Sequence, residues 1–270
     1  MKPKLLFVYD MPLEKEKMWM DGLWAALNVL QEDFEIDKEN LQIEHSKISD
    51  PMYNFILGWG GFNSSVDKEL HKPFYRLIKK GLCIAGNAFP PTGANNYDVL
   101  FYETKWYRPQ INFHKNIVQA FGVNTDIYFK PDISMPIIWD YIGVGAFASW
   151  KRWEKMKDKK GHRMVIGEYQ TGNEQESLSI VRDLITNGVM VSPMVHPFDL
   201  SNFYWWSRAL YLPSDINGGG ERAVMEAKAC GLRIEIEDDN PKLKELVESP
   251  VLSHFDYAKK LKEGILSIIK

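Results

Sequence analysis

Glycines, a helix start and an acidic side chain occur together at residues 211–231, YLPSDINGGGERAVMEAKACG. A predicted strand ends near Pro213 and Ser214, three glycines follow at 218–220, and a predicted helix begins at Glu221. Glycines let the backbone come close to a ligand, and a helix N-terminus offers unpaired N–H groups with a partial positive charge. This arrangement suits a phosphate group.

Glu226 lies within the same predicted helix, more than one turn from its start. A carboxylate at that place can accept two hydrogen bonds from a ribose diol. A plainer interpretation stays open, in which residues 218–220 form a flexible turn and Glu226 is solvated, because Gly-rich strand–loop–helix segments have many uses. The segment lacks the GxGxxG spacing of a dinucleotide site and the Gly-Lys-Ser/Thr of a P-loop, which argues against those two classes.

Cations follow an earlier predicted strand, which covers residues 141–146. Gly145 lies near the end of this strand, and Lys151 and Arg152 come shortly after it. A cation that faces a leaving diphosphate stabilises the charge that develops on it, with Arg suited to bidentate contact and Lys acting as a point charge. The alternative is a solvated basic helix over residues 151–159, because further lysines follow.

Strand-like and helix-like segments alternate along the chain, which predicts an α/β protein with mostly parallel sheets. Predicted helices cover residues 18–30, 68–80, 106–121, 174–186, 199–208, 221–229, 241–248 and 255–269; short strands are predicted at 34–36 and 41–43. We expect two Rossmann-like, doubly wound domains, at residues 1–131 and 132–252, that face a cleft. We expect the segment 253–270 to be a helix that packs back on the first domain.

The run from Pro213 to Gly231 resembles the donor-site signature of GT-B glycosyltransferases of the retaining family 4 kind. In that family a Pro-Ser ends a strand, a Gly-containing loop follows, and a helix carries Glu-Ala-x-Ala-x-Gly. The matching residues are Pro213, Ser214, Glu226, Ala227, Ala229, Cys230 and Gly231. The resemblance implies that Glu226 binds the donor ribose and that the backbone from Gly219 through Gly220 and Glu221 to Arg222 holds the diphosphate.

Three further parts of the sequence can be compared with the family's pattern. Gly145 and Lys151 match a Gly and a phosphate-binding Lys, but Ala146 stands where the family has Arg, and Arg152 is the candidate replacement. Gly218 stands where the family has a sugar-contacting Glu, with Asn217 and Glu221 as nearby substitutes. The family places the nucleobase near the end of a strand that corresponds here to Pro193, Met194 and Val195.

These matches imply a glycosyltransferase, hexosyltransferase-like, that uses a nucleotide-diphosphate sugar as donor, retains the anomeric configuration, and needs no metal or other cofactor. Two alternatives stay open on the same scaffold: a nucleotide-sugar-binding protein or partner subunit with weak or no turnover, and a nucleotide-sugar epimerase. The acceptor, whether glycan, lipid, protein or another molecule, is not identified. Loops at residues 60–63 and 86–91, with Asp10, are candidates to contact it.

The overall composition argues against several classes of protein. The 270 residues carry a formal net charge of −3, which argues against a general nucleic-acid binder. Apolar runs are too short for a membrane span or a signal-peptide core, although the basic face of the last helix leaves peripheral membrane contact open. The two cysteines make no disulfide framework or zinc pattern. We therefore expect a cytoplasmic protein.

Overall fold

The computed structural model describes residues 2–43, 52–85 and 93–269. The loop at residues 86–91 lies outside them. The chain divides into two compact units: unit 1 comprises Met1–Gly122 and Leu252–Lys270, and unit 2 comprises Val123–Val251. The sequence prediction placed these divisions after residues 131 and 252. Unit 1 therefore contains both ends of the described chain, and unit 2 is one continuous segment.

Unit 1 is built on a parallel sheet whose described strands lie in the order β2-β1-β3-β4-β5-β6. The strands are β1 (Lys4–Tyr9), β2 (Glu35–Asn40), β3 (Phe55–Gly60), β4 (Lys79–Ile84), β5 (Val99–Tyr102) and β6 (Ile117–Gln119). Its first helices are α1 (Leu13–Glu16), α2 (Gly22–Leu30), α3 (Ser65–Leu70) and α4 (Arg108–Ile111). Leu5, Leu6 and Phe7 of β1 are successive and all buried, as is typical of a parallel strand covered on both faces.

Two predicted helices of unit 1 are wrong. Residues 68–80 hold the end of α3, a 3-10 turn at Pro73–Leu77 and the start of β4, because Pro73 has no N–H to continue the α3 hydrogen bonds. Residues 106–121 hold the end of a 3-10 turn at Lys105–Tyr107, then α4, then β6. The ring of His114 makes contacts of 2.9 Å with the carbonyl oxygens of Asn116 and Tyr97 and holds the chain in a turn there.

The two short strands predicted at 34–36 and 41–43 are one strand, β2, which pairs with β1 from Glu35 to Asn40. The predicted helix at 18–30 begins only at Gly22, where the side chain of Asp21 accepts a hydrogen bond from the N–H of Trp24 and caps the helix.

Unit 2 has a parallel sheet whose described strands lie in the order β11-β10-β7-β8-β9. They are β7 (Trp139–Val144), β8 (Arg163–Gly167), β9 (Met190–Pro193), β10 (Ser207–Leu212) and β11 (Arg233–Ile236). Four helices follow these strands: α5 (Glu174–Thr186), α6 (Pro197–Trp205), α7 (Glu221–Ala229) and α8 (Pro241–Glu248). The strand order reverses between β7 and β10, so unit 2 is a doubly wound, Rossmann-like unit with its switch point there.

Helices α5, α7 and α8 begin and end at the predicted residues. The alternative interpretation of residues 151–159, a basic helix, is wrong: the segment forms two 3-10 turns, Ser149–Lys151 and Trp153–Asp158. Arg152 stands between them with φ 50° and ψ 39°, a left-handed conformation that interrupts any helix.

The last helix, α9 (His254–Ile269), returns to unit 1 and packs on α2. Tyr257, Leu261 and Ile265 are buried in the core that α2 also lines. Gly264 lets this helix approach β5, since a Cβ there would lie 2.6 Å from the ring of Phe101. No helix in the described ranges is both long and apolar enough to span a bilayer.

Candidate functional site

The predicted phosphate-binding segments lie together at the switch point of the unit 2 sheet. The loop after β7 contains Gly145, Lys151 and Arg152, and the loop after β10 runs from Pro213 to Gly220. Because β7 and β10 are adjacent and parallel, both loops emerge at the same edge of the sheet. In open α/β sheets ligands bind in the crevice at this edge, where the strand order reverses.

The glycine loop has a fixed shape. Asp215 Oδ1 accepts hydrogen bonds from the N–H groups of Asn217 and Gly218, at 2.8 and 3.0 Å. A side chain at 218 would lie 2.9 Å from the Trp150 carbonyl oxygen, and one at 220 would overlap Leu212. Gly220 also has φ 145°, in the region that favours glycine. Glycine is thus required at both ends of the three-glycine run.

Helix α7 begins directly after this loop with an open N-terminus. Gly220 is the N-cap residue, and no side chain in the described part of the chain caps the helix. The first N–H groups of a helix have no acceptor within it, and the helix dipole makes this end partially positive. The N-terminus of α7 can therefore donate hydrogen bonds to an anion.

Lys151 lies against the glycine loop and is 5% exposed. Its Nζ donates a hydrogen bond to the carbonyl oxygen of Gly219. Gly145 makes room for the ammonium, because a Cβ at 145 would lie 3.2 Å from Nζ. Burial lowers the pKa of Lys151 to about 8, and the Glu221 carboxylate opposes this effect only in part. Lys151 is a cation held beside the predicted diphosphate site.

Arg152 is bound to protein groups and does not face the glycines as a free cation. Its guanidinium forms two hydrogen bonds to the carboxylate of Asp239, at 2.7 and 2.8 Å. Its Nε donates to the carbonyl oxygen of Pro213 at 2.6 Å. The hydrogen bonds to Asp239 raise the pKa of Arg152. Arg152 therefore ties the loop after β7 to the loops after β10 and β11.

Lys242 was not predicted from sequence, although it contacts the predicted phosphate-binding loop. It is 0% exposed, and its Nζ lies 3.2 Å from Glu221 Oε1 and 3.4 Å from the carbonyl oxygen of Gly218. Glu221, expected as a substitute for a sugar-contacting glutamate, is therefore buried in an ion pair. The missed signal is that Lys242 shares the buried face of α8 with Leu243 and Leu246.

Glu226 faces inward from α7 and is 9% exposed. Its Oε2 accepts a hydrogen bond from the hydroxyl of Tyr204 on α6, at 3.2 Å. The proximity of this carboxylate adds to burial in raising the pKa of Tyr204 well above its usual range. Tyr204 thus fixes one carboxylate oxygen of Glu226, the residue predicted to bind the ribose.

Ser214 is fully buried at the end of β10, and its Oγ has no hydrogen-bond partner among the described residues. Asn240 holds the backbone here, because its Nδ2 donates to the carbonyl oxygens of Ser214 and Asp215, at 3.0 and 2.8 Å. A buried hydroxyl without a partner is uncommon. Ser214 therefore offers an unused donor and acceptor beside the glycine loop.

The predicted nucleobase segment lies at the same end of the sheet but further along it. Pro193 ends β9, and β8 stands between β9 and β7 in the strand order. Pro193 and Met194 are exposed and Val195 is half-buried. Asn217 is exposed, on the outside of the glycine loop, and the side chain of Arg222 is exposed on α7.

Solved structures resemble this chain over its length. AviGT4, a glycosyltransferase involved in avilamycin A biosynthesis, has a TM-score of 0.66 at 10% identity and covers 99% of this chain and 98% of its own. HepE from Anabaena, in complex with UDP and glucose, has a TM-score of 0.61 at 12% sequence identity, and the match covers 99% of this chain and 90% of HepE. A Listeria monocytogenes protein proposed to be a UDP-N-acetylglucosamine 2-epimerase has a TM-score of 0.54 at 14% sequence identity, and the match covers 100% of this chain and 91% of that protein.

No family model and no curated protein sequence matches the chain. At identities this low, structural likeness establishes the fold and no finer property. The two parallel sheets with interleaved helices agree with it. The predicted fold class is confirmed: the chain has the GT-B fold, with two Rossmann-like units.

Proposed function

We propose that unit 2 binds a nucleotide-diphosphate sugar and that the protein transfers the sugar to an acceptor. The observation that carries this proposal is the convergence, at the switch point of the sheet, of the glycine loop, the open N-terminus of α7 and the buried ammonium of Lys151. In this proposal the α7 N–H groups and Lys151 hold the diphosphate. Glu226 holds the ribose, and the segment 193–195 lies beside the base.

The proposed chemistry needs stabilisation of a leaving diphosphate. As the bond between the anomeric carbon and the phosphate oxygen breaks, negative charge grows on that oxygen, and preorganised N–H groups and a fixed ammonium stabilise it without reorganisation. With a pKa of about 8, Lys151 is mostly protonated at neutral pH. We propose that no metal is required. In this proposal the acceptor attacks the anomeric carbon from the face that the diphosphate leaves, its proton passes to the departing phosphate oxygen, and the anomeric configuration is retained.

Arg152 has a supporting role in this proposal. Its bonds to Asp239 and Pro213 hold the Lys151 loop against the glycine loop. It therefore acts on the diphosphate through Lys151. The acceptor is a glycan, lipid, protein or other molecule, and we propose a cytoplasmic location because Cys83 and Cys230 are both unpaired.

The test is a thermal-shift screen of the full chain with UDP, GDP, ADP and their sugar conjugates, followed by a transfer assay with the donor that binds. A ligand that binds only the folded state raises the melting temperature. Lys151→Met should lose this shift, whereas Lys157→Met, on an exposed lysine two turns later, should keep it. No shift with any nucleotide would refute the proposal.

Two other functions predict different results in the same assay. The likeness to the Listeria protein favours an epimerase, which would release free nucleotide or an altered sugar nucleotide without any acceptor product. Gly218, where the family of the resemblance has a sugar-contacting glutamate, favours a binding protein, which would bind the donor and leave it unchanged. Transfer of the labelled sugar to an added acceptor would exclude both.

A further inference from the structure

Glu221 places a carboxylate at the first position of α7, where the proposed function requires an anionic diphosphate. The side chain is buried, and among the described residues its Oε1 forms an ion pair with Lys242 but no well-aligned hydrogen bond. Like charges repel strongly where water is excluded. A carboxylate without a counter-charge would therefore oppose the binding of phosphate by the same helix end.

Two ammonium groups lie near this carboxylate: Lys151, whose pKa it raises in part, and Lys242 on helix α8, which pairs with it directly. Lys242 Nζ lies 3.2 Å from Glu221 Oε1, and it also donates to the carbonyl oxygen of Gly218 at 3.4 Å. Burying an isolated ammonium is costly, but a paired carboxylate offsets that cost. One fully buried ammonium therefore contacts both the acidic side chain and the glycine loop.

We propose that Lys242 is a positioning residue for nucleotide binding: it neutralises Glu221 and keeps the N-terminus of α7 attractive to a diphosphate. This inference rests on the proposed function. The ammonium of Lys242 acts through Glu221 and the loop, whereas that of Lys151 reaches the ligand. The buried hydroxyl of Ser214, which has no hydrogen-bond partner among the described residues, lies beside the same loop.

The experiment is a double-mutant cycle measured by titration calorimetry on the full chain. The variants are Lys242→Met, Glu221→Gln, the two combined, and Lys244→Met as a control on an exposed lysine of the same helix. The probes are UDP and uridine, or the diphosphate and nucleoside of whichever base binds in the screen. Uridine carries no phosphate, so it reports on the fold of the site without the electrostatic effect.

We expect Lys242→Met to weaken UDP binding at least about tenfold, because Glu221 loses its 3.2 Å ion pair and competes with the diphosphate for Lys151, and to leave uridine binding unchanged. We expect Glu221→Gln to bind UDP at least as tightly as the unmodified protein. The double variant removes both charges and should bind UDP within about twofold of the unmodified protein, as should Lys244→Met.

Two results would overturn the inference alone, given that the unmodified protein binds UDP. One is unchanged UDP affinity in Lys242→Met. The other is a double variant that binds UDP as weakly as Lys242→Met, since Lys242 would then act on the ligand itself. If Lys242→Met does not fold, Lys242→Gln takes its place in the cycle, because an amide removes the charge and keeps a hydrogen-bond donor beside Glu221. Failure of the unmodified protein to bind any nucleotide would overturn the proposed function, and the inference with it.

Discussion

Replacement of Lys151 by Met should make the unliganded protein more stable while it removes nucleotide binding. Burial lowers the pKa of this lysine from its usual 10.5 to about 8, and a difference of that size corresponds to about 3 kcal/mol against the charged form. Methionine removes the charge and nearly keeps the length of the lysine side chain. The Gly219 carbonyl loses its donor, which costs about 1 kcal/mol. The expected net gain at pH 7 is therefore about 2 kcal/mol.

The pH dependence provides a second test of this reasoning. Between about pH 8 and 10.5 the unfolded chain binds more protons at Lys151 than the folded chain does. The stability of the unmodified protein therefore rises with pH in this range, and the advantage of Lys151→Met should disappear. Urea unfolding at pH 7, 8, 9 and 10 measures the difference. A variant less stable than the unmodified protein at pH 7, or an advantage independent of pH, would refute the assigned pKa.

Three further predictions concern the same unit. Glu226→Gln should weaken UDP binding about tenfold, through loss of a charge-assisted hydrogen bond to ribose, and leave 2′,3′-dideoxy-UDP binding unchanged; calorimetry that showed equal losses would contradict the ribose assignment. Gly220→Ala should destabilise the fold by about 1–3 kcal/mol in urea unfolding, because a Cβ would overlap Leu212 at a φ of 145°, and unchanged stability would disprove the loop geometry. Lys228→Met should lower the free energy of unfolding by about 1–3 kcal/mol in the same assay, because Lys228 Nζ donates hydrogen bonds to the Leu246, Val247 and Ser249 carbonyls at the end of α8. A decrease below roughly 0.5 kcal/mol, the effect of an ordinary surface substitution, would contradict this prediction.

Local sequence signals predicted the elements whose ends are set by neighbouring residues. Helix α7 begins after three glycines, and α8 begins at Pro241, where the missing N–H of proline costs nothing. The predicted helix at 68–80 failed because its apolar spacing ran through Pro73 into β4. Strand β4 forms because Lys79–Ile84 pairs with β3, and that long-range pairing cannot be deduced from local spacing.

In the candidate site, too, features set by neighbouring residues could be predicted and features set by long-range contacts could not. That residues 145, 151 and 213–226 lie at one edge of the sheet could be predicted, because they follow two parallel strands along two loops and one helix. The partners that set their electrostatics come from elsewhere in the chain: Lys242 from α8, Tyr204 from α6, and Asp239 from the loop after β11. Only the folded sheet brings these residues to its switch point, so the pairing of Glu221 and Arg152 could not be predicted.

The most direct test of the central claim is a crystal structure of the full chain soaked with UDP. We predict that the β-phosphate accepts hydrogen bonds from the backbone N–H groups at the start of α7 and from Lys151 Nζ, and that the ribose hydroxyls contact Glu226. Electron density for UDP elsewhere in the protein, with the glycine loop unoccupied and Lys151 still bound to the Gly219 carbonyl, would contradict it.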